Sequence, residues 1–354
     1  MVSTGSRCRS PPNAGSKCCA ISRPACGGVD VIVNSRNMVL GLQSSGKTTF
    51  AAALWYILAN GGVTTVLAQG KHTGDYSYLD KIAERWEKGY KVPRTEHYEQ
   101  QSVSINLVDR ASGGNVSLRF TDLPGEGFER AFASRRLAEP IVQALEEIDG
   151  LMVFVSAADG IDNDSIIDVV KGLNEEDNED LDVDDDDVEP QEGVADGTFQ
   201  ASVAPEAERG SGDVKAAGGE KEIPFTPGLT PRDVQLVDIL SSVQDRPVDG
   251  VFPRIAVIVS AWDKVVRHRD PAKWLAARFP LLNQYLKNMN VPIRVYGVSA
   301  QGGDVPDGPK AKDALDRDKL LSISNAGERI KVVGHGADEH DLTHPIRWLS
   351  GLES

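Results

Sequence analysis

Short apolar runs alternate with amphipathic stretches along most of the chain. The clearest runs are continuous enough for strands buried on both faces, and they lie at residues 150–157, 254–260 and 293–299. Between them, apolar residues recur every three or four positions, which is the spacing of one helix face. Strands that alternate with helices in this way predict an α/β fold, namely a doubly wound and mostly parallel sheet.

Weaker patterns add further elements to this sheet. Strands are predicted to end near residues 37–40 and to cover residues 62–68, 102–108 and 115–121. Thr230 has the chemistry of a helix N-cap and Pro231 suits the first helical position, so a helix is predicted there. Other helices are predicted at residues 75–88, at 128–147 with a bend at Pro140, at 273–286 around Pro280, and at 341–352.

Two segments break the pattern. Residues 1–28 are rich in Ser, Pro, Gly and Cys, and residues 174–225 are acidic and then rich in Ala, Gly, Glu and Pro. Neither has enough large apolar residues to offset the entropy of ordering, so both are predicted to be disordered. The remainder, residues 29–173 and 226–354, is predicted to form a single domain.

Charge and cysteine content narrow the class of protein. The net charge is −15, but residues 172–192 alone hold twelve acidic residues and no Lys or Arg, so the acidity belongs mainly to one segment. No basic patch suggests nucleic acid, and no apolar run reaches the roughly 18 residues of a membrane span. All four cysteines lie in the first 26 residues. The lack of cysteine elsewhere suits a reducing compartment, so we expect a cytoplasmic protein.

A glycine-rich turn joins a predicted strand to a predicted helix in the stretch VLGLQSSGKTTF. Gly41, Gly46, Lys47 and Thr48 have the G-x-x-x-x-G-K-[ST] spacing of a phosphate-binding loop. In such a loop Lys47 reaches the β- and γ-phosphates, and the Thr48 hydroxyl is a ligand for Mg²⁺. The residues predicted to bind the phosphates are Gly41, Ser44, Ser45, Gly46, Lys47, Thr48 and Thr49.

A second motif, DLPGE, follows the predicted strand at residues 115–121. The strand end would bring Asp122 beside the phosphate loop, where its carboxylate can bind Mg²⁺ directly or through water. Gly125 can offer its N–H to the γ-phosphate, since it has no side chain to obstruct the approach. This pair predicts a nucleoside triphosphate with Mg²⁺ as the ligand.

Two later strand ends indicate which base is bound. Asp263 follows the strand at residues 254–260, and one carboxylate can accept hydrogen bonds from both N1–H and the exocyclic amino group of guanine. Adenine would leave that carboxylate unpaired, so the discrimination would be strong. Ser299 and Ala300 end the strand at residues 293–299, where a backbone N–H can reach the guanine O6. GTP and GDP are the predicted nucleotides.

In order and spacing, these motifs resemble the translation-factor-related (TRAFAC) class of P-loop GTPases, and in particular the bacterial double-GTPase group. The resemblance runs over residues 36–352 and includes GLQSSGKTTFAAALW, DLPGE, GVSAQGG and HPIRWL. It implies that residues 41–48 form the phosphate loop and residues 122–125 the second switch. It also implies that Asp263 recognises guanine and that Ser299 and Ala300 form the loop at the base edge.

The sequence departs from this family at the base. The family has Asn/Thr-Lys-x before the guanine-recognising aspartate, and this chain has Ser260, Ala261 and Trp262. The lysine that normally packs along the base and ties down the phosphate loop is therefore absent. Lys264 lies on the other side of Asp263 and does not simply replace it, which places guanine affinity in question more than guanine preference.

The residues expected to act in hydrolysis are less sharply defined. Glu126 occupies the position at which many GTPases orient the attacking water, although it also suits an exposed helix N-terminus. Thr95 is the predicted first-switch threonine, and Thr73 is the alternative. One of three arginines after the second switch could act as an arginine finger in cis: Arg130, Arg135 or Arg136.

The sequence therefore predicts a Mg²⁺-dependent GTP-binding and hydrolysing switch protein, with Lys47, Glu126 and Thr95 as its catalytic residues. We expect it to act on a protein effector or a partner GTPase. Two alternatives stay open at this point. One is an ATP-dependent P-loop enzyme, and the other is a nucleotide-loaded scaffold that binds a partner without hydrolysis.

Overall fold

Eight strands in the described part of the chain form one sheet. The computed structural model describes residues 34–72, 75–93, 103–121, 126–146, 148–158, 230–244, 254–265, 268–311 and 316–353. The strands are β1 (Asn34–Gly41), β2 (Leu67–Gln69), β3 (Val103–Asp109), β4 (Asn115–Phe120), β5 (Gly150–Ser156), β6 (Arg254–Ser260), β7 (Ile293–Ser299) and β8 (Lys331–Val333). Their order across the sheet is β2-β3-β4-β1-β5-β6-β7-β8.

The centre of the sheet is parallel, and its edges are antiparallel. Strands β4, β1, β5, β6 and β7 run in the same direction, whereas β2, β3 and β8 pair antiparallel at the two sides. The register places Gly41 beside Phe154 and Ser156 beside Ser260. The carboxyl ends of the central strands therefore meet at one edge, where open α/β sheets bind their ligands. The predicted mostly parallel α/β fold is confirmed.

Helices cover both faces of this sheet. They are α1 (Lys47–Asn60), α2 (Ser77–Glu87), α3 (Glu126–Ser134), α4 (Glu139–Glu146), α5 (Arg232–Gln244), α6 (Pro271–Arg278), α7 (Pro280–Asn288), α8 (Arg317–Leu321) and α9 (His344–Leu349). Of the helices described, none is long and apolar enough to cross a membrane.

Two apolar clusters separate the helix layers from the sheet. Helices α1, α2 and α9 pack on one face, and α3 to α7 pack on the other. Consecutive residues of β5 contribute to different clusters: Met152 points to the first and Val153 to the second. This is why the central strands are continuous apolar runs in the sequence rather than alternating ones.

Several predicted boundaries are corrected by the structure. The strand predicted at residues 62–68 is reduced to β2, Leu67–Gln69. The helix predicted at residues 128–147 is two helices, because Arg135 adopts a left-handed φ of 57° and ends the first one before Pro140 is reached. The helix predicted around Pro280 is also two, since the chain breaks at Phe279 and Pro280 occupies the first position of α7.

Thr230 is not the N-cap that the sequence predicts. The Pro231 carbonyl accepts the first helical hydrogen bonds, from the N–H groups of Val234 and Gln235 at 3.0 and 3.1 Å, so α5 begins at Arg232. The Thr230 hydroxyl has no hydrogen-bond partner within the described ranges.

At the C-terminal end, the predicted closing helix is shorter than expected, spanning His344–Leu349, and the edge strand β8 was not predicted. The predicted disordered segments, residues 1–28 and 174–225, lie outside the described residues.

A buried ion pair fastens the C-terminal helix to the sheet. Arg347 Nε donates to Asp109 Oδ1 at 2.7 Å, and the Asp109 side chain is 1% exposed. The other carboxylate oxygen accepts hydrogen bonds from the backbone and hydroxyl of Ser112 at 2.9 and 2.6 Å. Burial acts to raise the pKa of Asp109, but hydrogen bonds from Ser112 and Arg347 outweigh it and hold the pKa below its usual value. The ionised carboxylate therefore stabilises the fold at neutral pH, and this contribution is lost as the pH falls through the lowered pKa.

We predict that Arg347→Gln lowers the free energy of unfolding by about 3 kcal/mol at pH 7, because it leaves a buried carboxylate without its cation. Urea denaturation measures the loss. The matched control is Lys88→Gln, which breaks the exposed Glu84–Lys88 pair and should leave the free energy of unfolding unchanged within error. The difference between wild type and Arg347→Gln should begin to shrink near the ordinary pKa of an aspartate, about pH 4, and should vanish only below the lowered pKa of native Asp109. Equal costs for the two variants would contradict this role of the buried pair.

Candidate functional site

The turn between β1 and α1 has a backbone that few side chains would permit. Ser44 and Gly46 both have left-handed φ angles, of 62° and 90°. A Cβ on Gly46 would lie 2.8 Å from the Ser260 side chain, and a Cβ on Gly41 would lie 2.6 Å from Ser45 Oγ. Both predicted loop glycines therefore occupy positions that the packing leaves too narrow for any other residue.

Lys47 lies at the first position of α1 and folds back across the turn. The residue is 3% exposed, and its Nζ donates to the carbonyls of Gly41 and Leu42 at 2.7 and 2.8 Å. The first turn of α1 contains no acidic residue. The positive end of the helix dipole and the lysine ammonium thus reinforce each other, which is the electrostatic arrangement of an anion-binding site.

A cavity of about 520 Å³ lies directly over this turn, at the carboxyl edge of the sheet. It has the size of a small-molecule site. Eight of the residues predicted from the sequence line it together: Ser44, Ser45, Gly46, Lys47, Thr48, Thr49, Asp263 and Ala300. The other two described residues that were predicted to bind the nucleotide support the walls of the cavity, Gly41 beneath the turn and Ser299 behind Asp263.

The end of the cavity away from the turn is held by hydrogen bonds between neighbouring strand ends. Asp263 lies in a 3₁₀ turn just after β6, and Ser299 Oγ at the end of β7 donates to its Oδ1 at 2.5 Å. The Ser299 hydroxyl also accepts the Gly302 N–H at 3.2 Å. The fully buried Trp86 of α2 donates its indole N–H to the Ala300 carbonyl at 2.8 Å. Asp263 and the Ser299–Ala300 turn are therefore fixed relative to each other without a ligand.

A serine at the end of β6 is hydrogen-bonded to the glycine-rich turn. Ser260 Oγ donates to the Ser45 carbonyl at 2.8 Å. The next residue, Ala261, has a left-handed φ of 51° and lines the cavity. Lys264 lines the cavity as well, but its ammonium binds the carboxylate of Asp304, and this hydrogen bond raises the pKa of Lys264. Lys264 is thus paired with Asp304 in the wall of the cavity, and it does not replace the family lysine whose position Ala261 occupies.

Comparison with known proteins decides the family. The family model described as Double-GTPase 1 matches residues 38–349. The chain belongs to the Double-GTPase 1 family. The predicted resemblance to the double-GTPase group is thereby confirmed, and membership of a GTPase family implies binding of a guanine nucleotide.

More distant comparisons add little to this assignment. No curated protein matches the chain. One similar solved structure is the crystal structure of a bacterial selenocysteine-specific elongation factor, EF-Sec, with 12% sequence identity and a TM-score of 0.31. The match covers 81% of this chain and 27% of the elongation factor, so the chain spans about a quarter of that protein's length.

Some predicted residues of this Double-GTPase 1 chain lie outside the described residues. They are Thr73, Thr95, Asp122 and Gly125, and the side chain of Glu126 at the start of α3. Within the described ranges, no group of three or more His, Cys, Asp or Glu side chains could hold a metal ion. The first switch, the second switch and the Mg²⁺ ligand Asp122 therefore stay predictions.

The structure also shows cavity residues that the sequence analysis missed. Both polar atoms of the Gln301 amide are buried, and neither has a hydrogen-bond partner among the residues described. The side chain borders the cavity just after Ala300. Its position directly after the Ser-Ala pair was the signal that could have identified it. Residues 91–93 also line the cavity, and nothing in their sequence indicates this.

Gln43 is a further residue that the sequence did not single out. It lines the cavity, and its backbone is held by two charged side chains. Its N–H donates to Glu129 Oε1 at 3.1 Å, and its carbonyl accepts a hydrogen bond from Arg232 Nη1 at 2.8 Å. Arg232 is 189 positions from Gln43 in the sequence, so no local motif could have revealed this contact.

We predict that Ser260→Ala weakens GTP and GDP binding equally, by about fivefold, because the turn predicted to hold the phosphates loses one hydrogen bond worth about 1 kcal/mol. Titration calorimetry with each nucleotide measures the change. Ser242→Ala is the matched control, because this exposed hydroxyl bonds only within α5, to the Asp238 carbonyl, far from the cavity. A variant with unchanged affinity for both nucleotides would show that the Ser260–Ser45 bond does not shape the turn.

Proposed function

We propose that this protein binds Mg²⁺·GTP in the cavity, hydrolyses it slowly and alternates between GTP-bound and GDP-bound conformations. One observation carries the proposal. A single cavity has an anion-binding turn at one end, built around Lys47, and a carboxylate fixed for recognition at the other, that of Asp263. Both features line the same cavity, so one nucleotide could place its phosphates at the first and its base at the second.

In this proposal Lys47 exchanges the carbonyls of Gly41 and Leu42 for phosphate oxygens when nucleotide enters. The positive end of α1 stabilises the remaining phosphate charge. Asp263, positioned by Ser299, accepts hydrogen bonds from the guanine edge. The unpartnered amide of Gln301 supports a polar ligand at the same end of the cavity, since buried polar groups normally find a partner.

We also propose that Mg²⁺ binds at the Lys47 end of the cavity. The half-buried Thr48 borders the cavity beside Lys47, and its hydroxyl, with the carboxylate of Asp122, would supply the hard oxygen ligands that this ion prefers. Bound Mg²⁺ supplies neutralisation of the phosphate charge. Thr95 and Glu126 remain our proposed first-switch and water-orienting residues. We also propose that a protein effector or a partner GTPase responds to the nucleotide state.

The decisive experiment compares affinities for GDP, GTP and ATP, with and without Mg²⁺, in wild type and in Lys47→Ala. We predict micromolar or tighter binding of GTP and GDP, at least about 100-fold weaker binding of ATP, and loss of all binding in Lys47→Ala because the phosphates lose a charge-assisted contact. Circular dichroism of the variant checks that it is folded. Preference for ATP would favour the ATP-dependent alternative, and GTP binding without single-turnover hydrolysis would favour the non-hydrolysing scaffold.

A second prediction tests the base end alone. Asp263→Asn should weaken GTP binding and favour xanthosine triphosphate, because an amide can donate a hydrogen bond to the carbonyl that xanthine offers. Competition between the two triphosphates, measured in wild type and variant, gives the ratio of affinities. We expect the ratio to shift toward xanthosine triphosphate by at least about 100-fold. An unchanged ratio would rule out guanine recognition by Asp263.

A further inference from the structure

The backbone of Gln43, at one end of the cavity, contacts two side chains of opposite charge. Its carbonyl accepts from Arg232 and its N–H donates to Glu129, so a cation and an anion from two different helices meet at this residue. Two charged side chains on one loop residue indicate a position where charge matters when the cavity is filled.

The sheet order tells which end of a bound nucleotide lies near Gln43. Strand β1 has β4 on one side and β5, β6 and β7 on the other, so Asp263 and Ala300 are displaced to the β6–β7 side. Glu129 belongs to α3, which begins directly after residues 122–125, the stretch predicted to meet the γ-phosphate. Gln43 is joined to this helix. The contact between Arg232 and Gln43 is therefore at the terminal-phosphate end of the cavity.

The start of α5 holds Arg232 in a fixed place. The neighbouring Asp233 is 8% exposed and accepts hydrogen bonds from the N–H groups of Leu281 and Leu282 at 2.9 and 2.7 Å. N–H groups in the first turn of a helix have no carbonyl partner within that helix. By accepting from these two at the start of α7, Asp233 connects the first turn of α5 to α7. The buried side chain of Leu236 anchors the next turn in the core. A cation on such a support is preorganised, which is the condition for effective electrostatic stabilisation.

We propose that Arg232 is an arginine finger supplied in cis, which stabilises the charge that develops on the γ-phosphoryl group during GTP hydrolysis. The inference rests on the proposed function. In the reaction, the water oxygen forms a bond to the γ-phosphorus, and the bond from that phosphorus to the β–γ bridging oxygen breaks. The bridging oxygen keeps the electron pair as part of GDP, and the water protons leave with inorganic phosphate and solvent. The Arg232 guanidinium takes no part in the proton transfer and donates N–H bonds to the transferring oxygens.

Glu129 has the opposite role in this arrangement. Its carboxylate lies on the Gln43 N–H, close to where the γ-phosphate would bring more negative charge. Like charges at such short range repel strongly in a partly buried site. A γ-phosphate at this position would therefore repel Glu129 and attract Arg232. GDP, which lacks the γ-phosphate, permits both contacts with Gln43.

Arg135 is one of the three arginines that the sequence suggested as an arginine finger, but its side chain pairs with a residue away from the phosphate loop. Its guanidinium pairs with Asp238 on α5 and lies 5.0 Å from the centre of the Phe132 ring. That group borders a separate surface cavity between α3, α4 and α5. Arg135 is thus a matched control for Arg232, because it is an arginine near the same two helices that does not touch the phosphate loop.

The test measures GDP and GTP affinity and single-turnover GTP hydrolysis in wild type, Arg232→Ala, Arg232→Lys and Arg135→Ala. It also measures binding of tetrafluoroaluminate to the Mg²⁺·GDP form, a mimic of the transferring phosphoryl group. We expect Arg232→Ala to keep nucleotide affinity within about threefold but to lose hydrolysis by on the order of a thousandfold. Tetrafluoroaluminate should bind wild type and Arg135→Ala and should fail to bind Arg232→Ala.

Arg232→Lys keeps a positive charge and guards against misfolding of the alanine variant. It should still hydrolyse far more slowly than wild type, because an ammonium cannot reproduce the planar donor geometry of the guanidinium. Normal hydrolysis or normal tetrafluoroaluminate binding in a folded Arg232 variant would overturn the inference. So would an equal loss of GDP affinity and hydrolysis, which would assign Arg232 to shaping the loop. Unchanged hydrolysis in a folded Arg232 variant overturns the inference alone. Wild-type protein that binds GTP without hydrolysing it overturns both the inference and the hydrolysis step of the proposed function, and wild-type protein that binds no guanine nucleotide overturns the proposed function as a whole.

Discussion

The site depends on one unfavourable placement, a lysine ammonium at the positive end of a helix dipole. Lys47 is buried there and is stabilised by the carbonyls of Gly41 and Leu42, which the left-handed turn points back toward it. A cation at this end of a helix costs on the order of 0.3–1 kcal/mol, and burial of the ammonium adds to the cost. An anion relieves both penalties, so the turn is arranged for a ligand rather than for its own stability. This turn is held in place by Gly41 and Gly46, by the hydrogen bond from Ser260 of β6, and by the parallel strands that end beside it.

The two ends of the cavity are built differently, and the difference suits their proposed roles. At the proposed base end, uncharged donors hold the wall, since the Ser299 hydroxyl donates to the Asp263 carboxylate and the Trp86 indole donates to the Ala300 carbonyl. At the phosphate end, Gln43 is held by side chains of opposite charge. Opposite charges respond in opposite directions to an entering anion. An anion that enters beside Gln43 would therefore be attracted by Arg232 and repelled by Glu129.

The chain also shows how a missing family residue is accommodated. The family lysine before the guanine-recognising aspartate is expected to tie the phosphate loop, and Ala261 stands in its place. Ser260 supplies a hydrogen bond from β6 to the same loop, to the carbonyl of Ser45. The loop therefore keeps its support on the β6 side, while the flat surface that a lysine stem offers to a base is lost. In the family, one lysine both supports the loop and packs along the base, and this chain retains only the support of the loop.

The sequence by itself determined the features that depend on neighbouring residues. The bounds of β6 and β7, the turn from Gly41 to Lys47 and the placement of Asp263 at a strand end follow from apolar runs and from glycine spacing, which are local constraints. Other features required the tertiary structure. Thr230 has N-cap chemistry, yet α5 begins at Arg232, one residue after the predicted first helical position, and the three-residue β8 pairs with the edge of β7. Arg232 reaches Gln43 across 189 positions of sequence. Such a contact is decided by how helices pack on the sheet, and packing leaves no spacing in the sequence from which it could be predicted.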